Sequence, residues 1–233
     1  MRVAARSFHM RVGRTTESAT NTTRVARRDE STTVLLIRHA HTDAIACRRL
    51  SGRLLGITLS ALGVLEAEEL GRTLEASCRL AAIYSSPLER AHDTATAIAR
   101  YQEARVEVCD ALLEVDFGVW TGRTFDELDG DPRWHDFNHA RASAMIPGGE
   151  RPLAVQRRIV AAVERLAAKH PGATIALVTH AEIVRFALLQ YRSESLDLYH
   201  ELEIEPASVS AVSISPDGVY VQFVNRRAAA LRP

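Results

Sequence analysis

Short apolar runs that alternate with longer segments of helical periodicity constrain the fold of this chain more than any other feature. Residues 33–37 (Thr-Val-Leu-Leu-Ile) are apolar and rich in branched side chains, as is typical of a short buried strand. Similar runs lie at 81–85, 105–109 and 174–179. Strands that alternate with helices predict a mostly parallel sheet with helices on both faces. A hairpin through Pro216-Asp217-Gly218 is expected to add an antiparallel edge.

Helices are predicted between these strands, and two of them carry clear start signals. Ser60 is a candidate cap for a helix over 61–77, and Thr124-Phe125-Asp126-Glu127 has the pattern of a capping box. The remaining predicted elements are helices over 87–101, 132–142, 152–169 and 181–191 and hairpin strands over 208–215 and 219–225. We therefore expect one α/β domain over residues 33–226, built as a three-layer sandwich, and a C-terminal tail over 227–233.

Composition argues against several classes of function. The chain has 233 residues, a formal net charge of zero and no long basic stripe in its body, so we expect no nucleic-acid partner. Its apolar runs are too short to span a bilayer, so we expect no membrane partner. Cys47, Cys78 and Cys109 lack metal-ligand spacing and are odd in number, which is typical of reduced thiols. These features predict a cytoplasmic protein.

Residues 1–32 differ in composition from the rest of the chain. They hold seven arginines, many Thr and Ser, and few core-forming residues. We interpret this segment as a disordered extension or as the result of a start codon assigned too early. An organellar transit peptide, which is also rich in Arg and Ser and poor in acids, is the alternative.

Titratable and charged side chains follow the predicted strands at the point where each strand ends. Arg38 and His39 follow the first strand, His180 follows the strand at 174–179, and Arg90 lies on the helix that opens after 81–85. Ligands bind at the carboxyl ends of parallel strands in open sheets, so we expect these side chains to lie together. Arginine holds phosphate oxygens in a planar fork, and an imidazole can attack phosphorus. The sequence therefore favours phosphate chemistry.

Four segments of the chain, in this order, together resemble the histidine phosphatase superfamily, also called the phosphoglycerate mutase-like or branch 1 group. The segments are Leu36-Ile37-Arg38-His39-Ala40-His41-Thr42, Ser85-Ser86-Pro87-Leu88-Glu89-Arg90-Ala91, Glu114 to Gly122, and Val178-Thr179-His180-Ala181. The resemblance covers roughly residues 33–226 and implies a phosphoglycerate mutase-like fold. Ala40 and Ala181 stand where the family usually has Gly, and their methyl groups are expected either to crowd the phosphate or to fill a gap.

The resemblance implies a catalytic set. His39 would be the nucleophile that forms a phosphoramidate, and Arg38 and Arg90 would grip the non-bridging oxygens of the phosphoryl group. His180 would be a second, protonated imidazole that donates to the same group. A surface salt bridge is the alternative role for either arginine, and more so for Arg90, which has Glu89 and Asp93 nearby as natural partners.

The acid for the leaving oxygen is implied to be Glu114, which would then act as the base for water. A carboxyl near a phosphate dianion should have a raised pKa. Asp116 is the rival acid. The positions implied to bind substrate are Thr42, Ser51, Gly52, Arg53 and Ala181.

Three functions are compatible with this pattern: a metal-independent phosphomonoesterase, a cofactor-dependent phosphoglycerate mutase, and an inactive binder of phosphorylated ligands. Family mutases carry Arg-His-Tyr-Gly after the acid and paired arginines in a longer insertion. Here Val115-Asp116-Phe117-Gly118 follows the acid, and Arg123, Arg133 and Arg141 are not adjacent, which favours the phosphatase.

The expected partner is a small phosphorylated metabolite, with no metal and no cofactor, and a homodimer is left open. Residues 123–147 are expected to lie over the pocket. Trp134, His135 and Phe137 are predicted to give that pocket a partly aromatic wall.

Overall fold

A computed structural model describes residues 31–231, and a six-stranded sheet lies at its centre. The strands are β1 (Thr32–Arg38), β2 (Ala82–Ser85), β3 (Val106–Val108), β4 (Thr174–Thr179), β5 (Val209–Ser215) and β6 (Gly218–Arg226). The helices are α1 (Asp43–Ala46), α2 (Ala61–Ser77), α3 (Glu89–Ala99), α4 (Phe125–Leu128), α5 (Pro132–His139), α6 (Pro152–Ala167) and α7 (Ala181–Tyr191). Short 3-10 helices lie at Asp110–Leu112, Gly118–Trp120, Leu196–Glu201 and Ala228–Ala230.

The strand order β3-β2-β4-β1-β5-β6 confirms the mostly parallel sheet with an antiparallel edge. Strands β1, β2 and β3 each have a parallel neighbour, and β5 and β6 form the predicted antiparallel hairpin beside β1. In the β1–β4 register, Arg38 lies opposite Thr179. The two strands therefore end level with each other, and the residues that follow them, His39 and His180, are brought to the same edge.

Each face of the sheet carries its own hydrophobic core, because successive side chains of a strand point to opposite faces. Leu35 and Ile37 of β1 pack with α2 and α3 on one side. Val34 and Leu36 pack with α6 and α7 on the other. These two cores make the predicted three-layer sandwich and fix the central strands between the helices.

Several element boundaries differ from the prediction. Helix α3 begins at Glu89 rather than at Pro87, because Leu88 keeps an extended conformation and occupies the N-cap. Helix α5 ends at His139, before the predicted 142. The Ser60 cap is confirmed by its hydrogen bond from the Gly63 N–H, and the Thr124 capping box is present. The predicted extension lies, up to residue 30, outside the described residues.

Residues after 226 fold back onto α2. Arg227 forms an ion pair with Glu66 (2.6 Å), and Ser77 Oγ donates to the Leu231 carbonyl (3.0 Å). This part of the predicted tail is thus packed.

Among the helices of residues 31–231, none is both long and apolar enough to cross a membrane.

Candidate active site

The level ends of β1 and β4 bring two imidazoles into contact at the carboxyl edge of the sheet. His39 and His180 have ring centroids 5.3 Å apart and an interplanar angle of 63°. The His39 N–H donates to the Thr179 carbonyl (2.8 Å), which continues the strand ladder up to the site. Both side chains are buried. The backbone ladder therefore holds the pair in place.

His39 presents an unprotonated ring nitrogen. Its Nδ1 lies 2.8 Å from the Ala40 carbonyl oxygen, which only accepts, so Nδ1 carries the hydrogen. Burial, followed by the charges of Arg90 and Arg38, lowers the pKa of His39 well below its ordinary value. The ring is neutral at pH 7, and its lone pair resides on Nε2. An imidazole in this tautomer is prepared to act as a nucleophile.

His180 is held by Ser86, which follows β2. Its Nε2 lies 2.9 Å from Ser86 Oγ, and burial, with the charge of Arg90 next, lowers the pKa of the ring well below its ordinary value. The ring is therefore neutral in the ligand-free protein, which differs from the protonated imidazole expected with a phosphoryl group bound. A neutral ring that accepts from the Ser86 hydroxyl carries its hydrogen on Nδ1 and is still a donor.

Two guanidinium groups flank His39: that of Arg90 is buried and that of Arg38 is partly exposed. Arg38 Nη1 donates to the Ile204 carbonyl (2.6 Å), and Arg90 Nη2 donates to the Gly52 carbonyl (2.7 Å). Arg90 is buried, so the alternative of a surface salt bridge is wrong. Burial lowers the pKa of Arg38 to about 10, so it stays charged at pH 7.

Three buried nitrogens of this cluster lack a hydrogen-bond partner within residues 31–231. They are Arg38 Nε, Arg90 Nη1 and His180 Nδ1. Buried polar groups are normally paired, so unpaired nitrogens on three neighbouring side chains indicate a ligand with several acceptor oxygens. Because Arg38 and Arg90 also place two positive charges here, the ligand is expected to be an anion.

Glu114 faces the cluster from the segment after β3. Its Oε1 accepts from the Val115 N–H (2.9 Å). Burial, helped by the charge of Glu182, raises the pKa of Glu114 to about 7, against the opposing charges of Arg90 and Arg38. Its rival, Asp116, caps the Gly118 N–H (2.9 Å) and is absent from the cavity lining. Glu114 is thus the carboxyl that can donate a proton here.

A cavity of about 280 Å³ opens in front of these groups. It is lined by Arg38, His39, Thr42, Ile45, Arg48, Arg49, Leu50, Ser51, Gly52, Arg90, Glu114, Phe117, Phe125, Ala181, Glu182 and Arg185. Four of the five predicted substrate-binding positions, Thr42, Ser51, Gly52 and Ala181, lie in this lining. Within the described part of the chain, no group of three or more His, Cys, Asp or Glu side chains is arranged to hold a metal ion.

Arg53, the fifth predicted substrate-binding position, lies outside this lining. Its Nε donates to the Glu114 carbonyl (2.8 Å), and its Nη2 pairs with Glu150 (2.8 Å). The structure thus directs the Arg53 guanidinium toward the backbone behind the acid rather than into the cavity, and direct substrate binding by Arg53 stays a prediction.

The aromatic residues that line the cavity are not the predicted ones. Trp134 and Phe137 stack on each other (5.6 Å between centroids) in a cluster with Trp120, and His135 stacks on His139 away from the cavity. The aromatic rings that do line the cavity are Phe117 and Phe125.

Glu182 and Arg185 are cavity residues that the sequence reasoning missed. Glu182 pairs with Arg185 (2.9 Å) and with Arg141, which has a buried side chain. Their charges outweigh burial and lower the pKa of Glu182. The sequence signal that could have identified them is their position, one and four residues after Ala181 on the first turns of α7.

Ala40, where the family has Gly, is fully buried in the core beside α2 and α3, so its methyl fills space there.

Comparisons with known proteins agree with this geometry. The family model described as "Histidine phosphatase superfamily (branch 1)" matches residues 34–227. A protein of Mycobacterium tuberculosis described as bifunctional is 34% identical over 213 residues, which are 91% of this chain and 58% of that protein. This chain thus spans less than two thirds of that relative. The metal-independent phosphoserine phosphatase of Arabidopsis thaliana is 31% identical over 171 residues, or 71% of each chain.

Solved structures show the same fold. The protein YhfR of Bacillus stearothermophilus has a TM-score of 0.77 and 30% identity, and the match covers 82% of this chain and 96% of that one. Other similar proteins include a second phosphoserine phosphatase and a phosphoglycerate mutase.

Proposed function

The chain belongs to the histidine phosphatase superfamily, and we propose that it is a metal-independent phosphomonoesterase that forms a phosphohistidine at His39. The observation that carries the proposal is the cluster of unpaired donors on Arg38, Arg90 and His180 beside the lone pair of His39 Nε2. A loose phosphoryl-transfer transition state spreads charge over three oxygens, so positioned donors and cations supply most of the catalysis.

In the first step, His39 Nε2 attacks phosphorus while the bond from phosphorus to the leaving oxygen breaks. Glu114, whose pKa of about 7 keeps much of it protonated at neutral pH, gives its proton to the leaving oxygen. Arg38, Arg90 and neutral His180 donate to the three non-bridging oxygens. The products are a free alcohol and a phosphoramidate on His39.

In the second step, water attacks the phosphoramidate. Glu114, now ionised, takes a proton from that water, and the phosphorus–nitrogen bond breaks so that its electron pair returns to Nε2 of His39. Inorganic phosphate leaves, and both side chains regain their starting protonation states. The arginines supply the positive charge that a metal ion supplies in other phosphatases.

The cavity favours a small organic phosphate as substrate, because its volume is about 280 Å³. The contacts of Arg133 and Arg141 favour hydrolysis over the mutase reaction. Arg133 pairs with Asp131 (3.0 Å) and Arg141 with Glu182, so neither extends toward the cavity to hold a substrate carboxylate.

The test is hydrolysis of a panel of phosphomonoesters, including phosphoserine and p-nitrophenyl phosphate, in excess chelator. We expect wild type to turn over in chelator at its ordinary rate and His39→Ala to lose turnover while keeping its melting temperature. Loss of wild-type activity in chelator, restored by magnesium, contradicts the metal-independent mechanism. Isomerisation of a phosphoglycerate faster than its hydrolysis favours the mutase instead.

A further inference from the structure

The turn that ends at Glu150 is packed, backbone against backbone, on the segment that carries Glu114. A Cβ atom at Gly149 would lie closer than 3.0 Å to the Asp116 carbonyl oxygen. A Cβ atom at Gly118, which has φ +50°, would lie closer than 3.0 Å to a backbone oxygen of the turn. Glycine at both positions permits this approach. The turn Pro147-Gly148-Gly149-Glu150 therefore does more than reverse the chain.

The carboxylate of Glu150 collects three donors at one oxygen. Its Oε2 accepts from Arg53 Nη2 (2.8 Å), from Arg158 Nη2 (3.1 Å) and from the Asp116 N–H (3.1 Å). Burial lowers the pKa of Arg158, and the charge of Glu150 opposes that shift. The carboxylate is thus the shared anion of two partly buried cations.

The same two arginines hold the main chain on the other side of Glu114. Arg53 Nε donates to the Glu114 carbonyl (2.8 Å). Arg158 Nη1 donates to the carbonyls of Ala111 (2.8 Å) and Leu113 (2.9 Å). The backbone before and after the acid is thereby tied, through two guanidinium groups and one amide, to a single carboxylate.

We propose that Glu150 is a positioning residue for Glu114, and that it acts by clamping the backbone from which the acid projects. The inference rests on the proposed function, in which Glu114 protonates the leaving oxygen. The Glu114 carboxyl accepts a hydrogen bond from the Val115 N–H, so any shift of this backbone also moves the carboxyl group. A misplacement of about 1 Å costs on the order of 10²-fold in rate.

The test compares two substrates in Glu150→Gln. Gln keeps the size of the side chain and removes the charge that holds Arg53 and Arg158. Single-turnover rates of leaving-group release are measured with β-glycerophosphate, whose alkoxide is a poor leaving group, and with p-nitrophenyl phosphate, whose phenolate is a good one. We expect the alkyl substrate to slow by about 10- to 100-fold and the aryl substrate by less than about threefold, because only the first needs the acid.

A double-mutant cycle separates positioning from general damage. If Glu150 acts through Glu114, then Glu150→Gln in a Glu114→Gln background slows the alkyl substrate little further. The matched control is Glu103→Gln, which removes the same charge from the exposed Arg79–Glu103 pair (2.8 Å). The control variant should leave both rates unchanged.

Equal slowing of both substrates, or an undiminished effect in the Glu114→Gln background, overturns the proposal. If Glu150→Gln does not fold, Arg53→Ala carries the same comparison. If wild type hydrolyses neither substrate, the proposed function is contradicted independently of the role of Glu150. The backbone clamp is then tested by hydrogen exchange, in which Glu150→Gln must speed the exchange of the amides of residues 111–119. Unchanged exchange overturns it.

Discussion

Burial sets the protonation states of the three titratable side chains around the cluster of unpaired donors. His39 and His180 are kept neutral because burial and the nearby arginines lower their pKa values. The same burial raises the pKa of Glu114 to about 7. One environment thus yields a nucleophile with a free lone pair and an acid that still holds its proton near neutral pH.

The leaving group should decide how much Glu114 matters. An alkoxide needs a proton as the bond breaks, and an acid placed there contributes about 10²–10⁴-fold, whereas p-nitrophenolate leaves without help. Glu114→Gln should therefore slow the single-turnover release of glycerol from β-glycerophosphate far more than that of p-nitrophenolate from p-nitrophenyl phosphate. Equal losses would remove Glu114 from the acid role and transfer it to Asp116, which Asp116→Asn tests by the same comparison.

The pH profile follows from the same group. The protonated carboxyl is the active form in the first step, and its pKa in the free protein is about 7. As pH rises through this value, kcat/KM for an alkyl phosphate should fall by tenfold per pH unit, and Glu114→Gln should remove that fall. A profile for wild type that is flat from pH 7 to pH 9 contradicts the assignment.

Single residues were also where sequence reasoning was both strongest and weakest. His39, Arg38, Arg90 and His180 were chosen correctly as neighbours, because strand ends meet at one edge of the sheet, and the family resemblance added Glu114. Arg53 was expected at the cavity and lies outside its lining, because a sequence position near a ligand does not show which way a long side chain points. Glu182 was not recognised as a cavity residue because its ion-pair partner, Arg141, is distant in sequence and close only in the fold.

Among the elements, the turn at 147–150 and the segment at 114–119 form one unit. Their backbones approach so closely that side chains at Gly118 and Gly149 would collide with main-chain atoms. The long strands and helices were predictable from their apolar periodicity. The short helix α1 was not, because it buries none of its four residues and has no side-chain cap, so neither an apolar periodicity nor a cap marks it in the sequence.

Gly149→Ala should therefore destabilise the protein by about 1–3 kcal/mol, the usual cost of forcing extra atoms into a packed region. Gly130→Ala is the matched control, because a Cβ there meets nothing within 4 Å. The control should change stability by less than about 0.5 kcal/mol. Urea unfolding of both variants measures the difference, and equal stabilities would show that the turn is not packed as described.

On the scale of the whole molecule, the strand order determines the site. Strands β1 and β4 are far apart in sequence and adjacent in the sheet, so their end residues form one cluster. The sequence predicted which segments are strands and that they are mostly parallel. The order β3-β2-β4-β1 could not be derived from it, because that order depends on how α2, α3, α6 and α7 divide between the two faces.

The proposed function makes the cluster of unpaired donors an anion-binding site of the folded protein. Inorganic phosphate should stabilise it, by about 2.7 kcal/mol at one hundred times the dissociation constant, because the site exists only in the folded state. Thermal unfolding with and without phosphate measures this. Arg90→Gln should lose most of the stabilisation, and Arg79→Gln, at an exposed ion pair, should keep it. A melting temperature of wild type that does not respond to phosphate contradicts an anion site.

The central claim is that phosphate passes through His39, and trapping that intermediate tests it most directly. Glu114→Gln should accept phosphate from labelled p-nitrophenyl phosphate and then lack the base that activates water, so label should accumulate. We predict acid-labile, base-stable label on the peptide that contains His39, and none when His39→Ala is added. Turnover without label, or label that persists in the His39→Ala variant, would contradict the account.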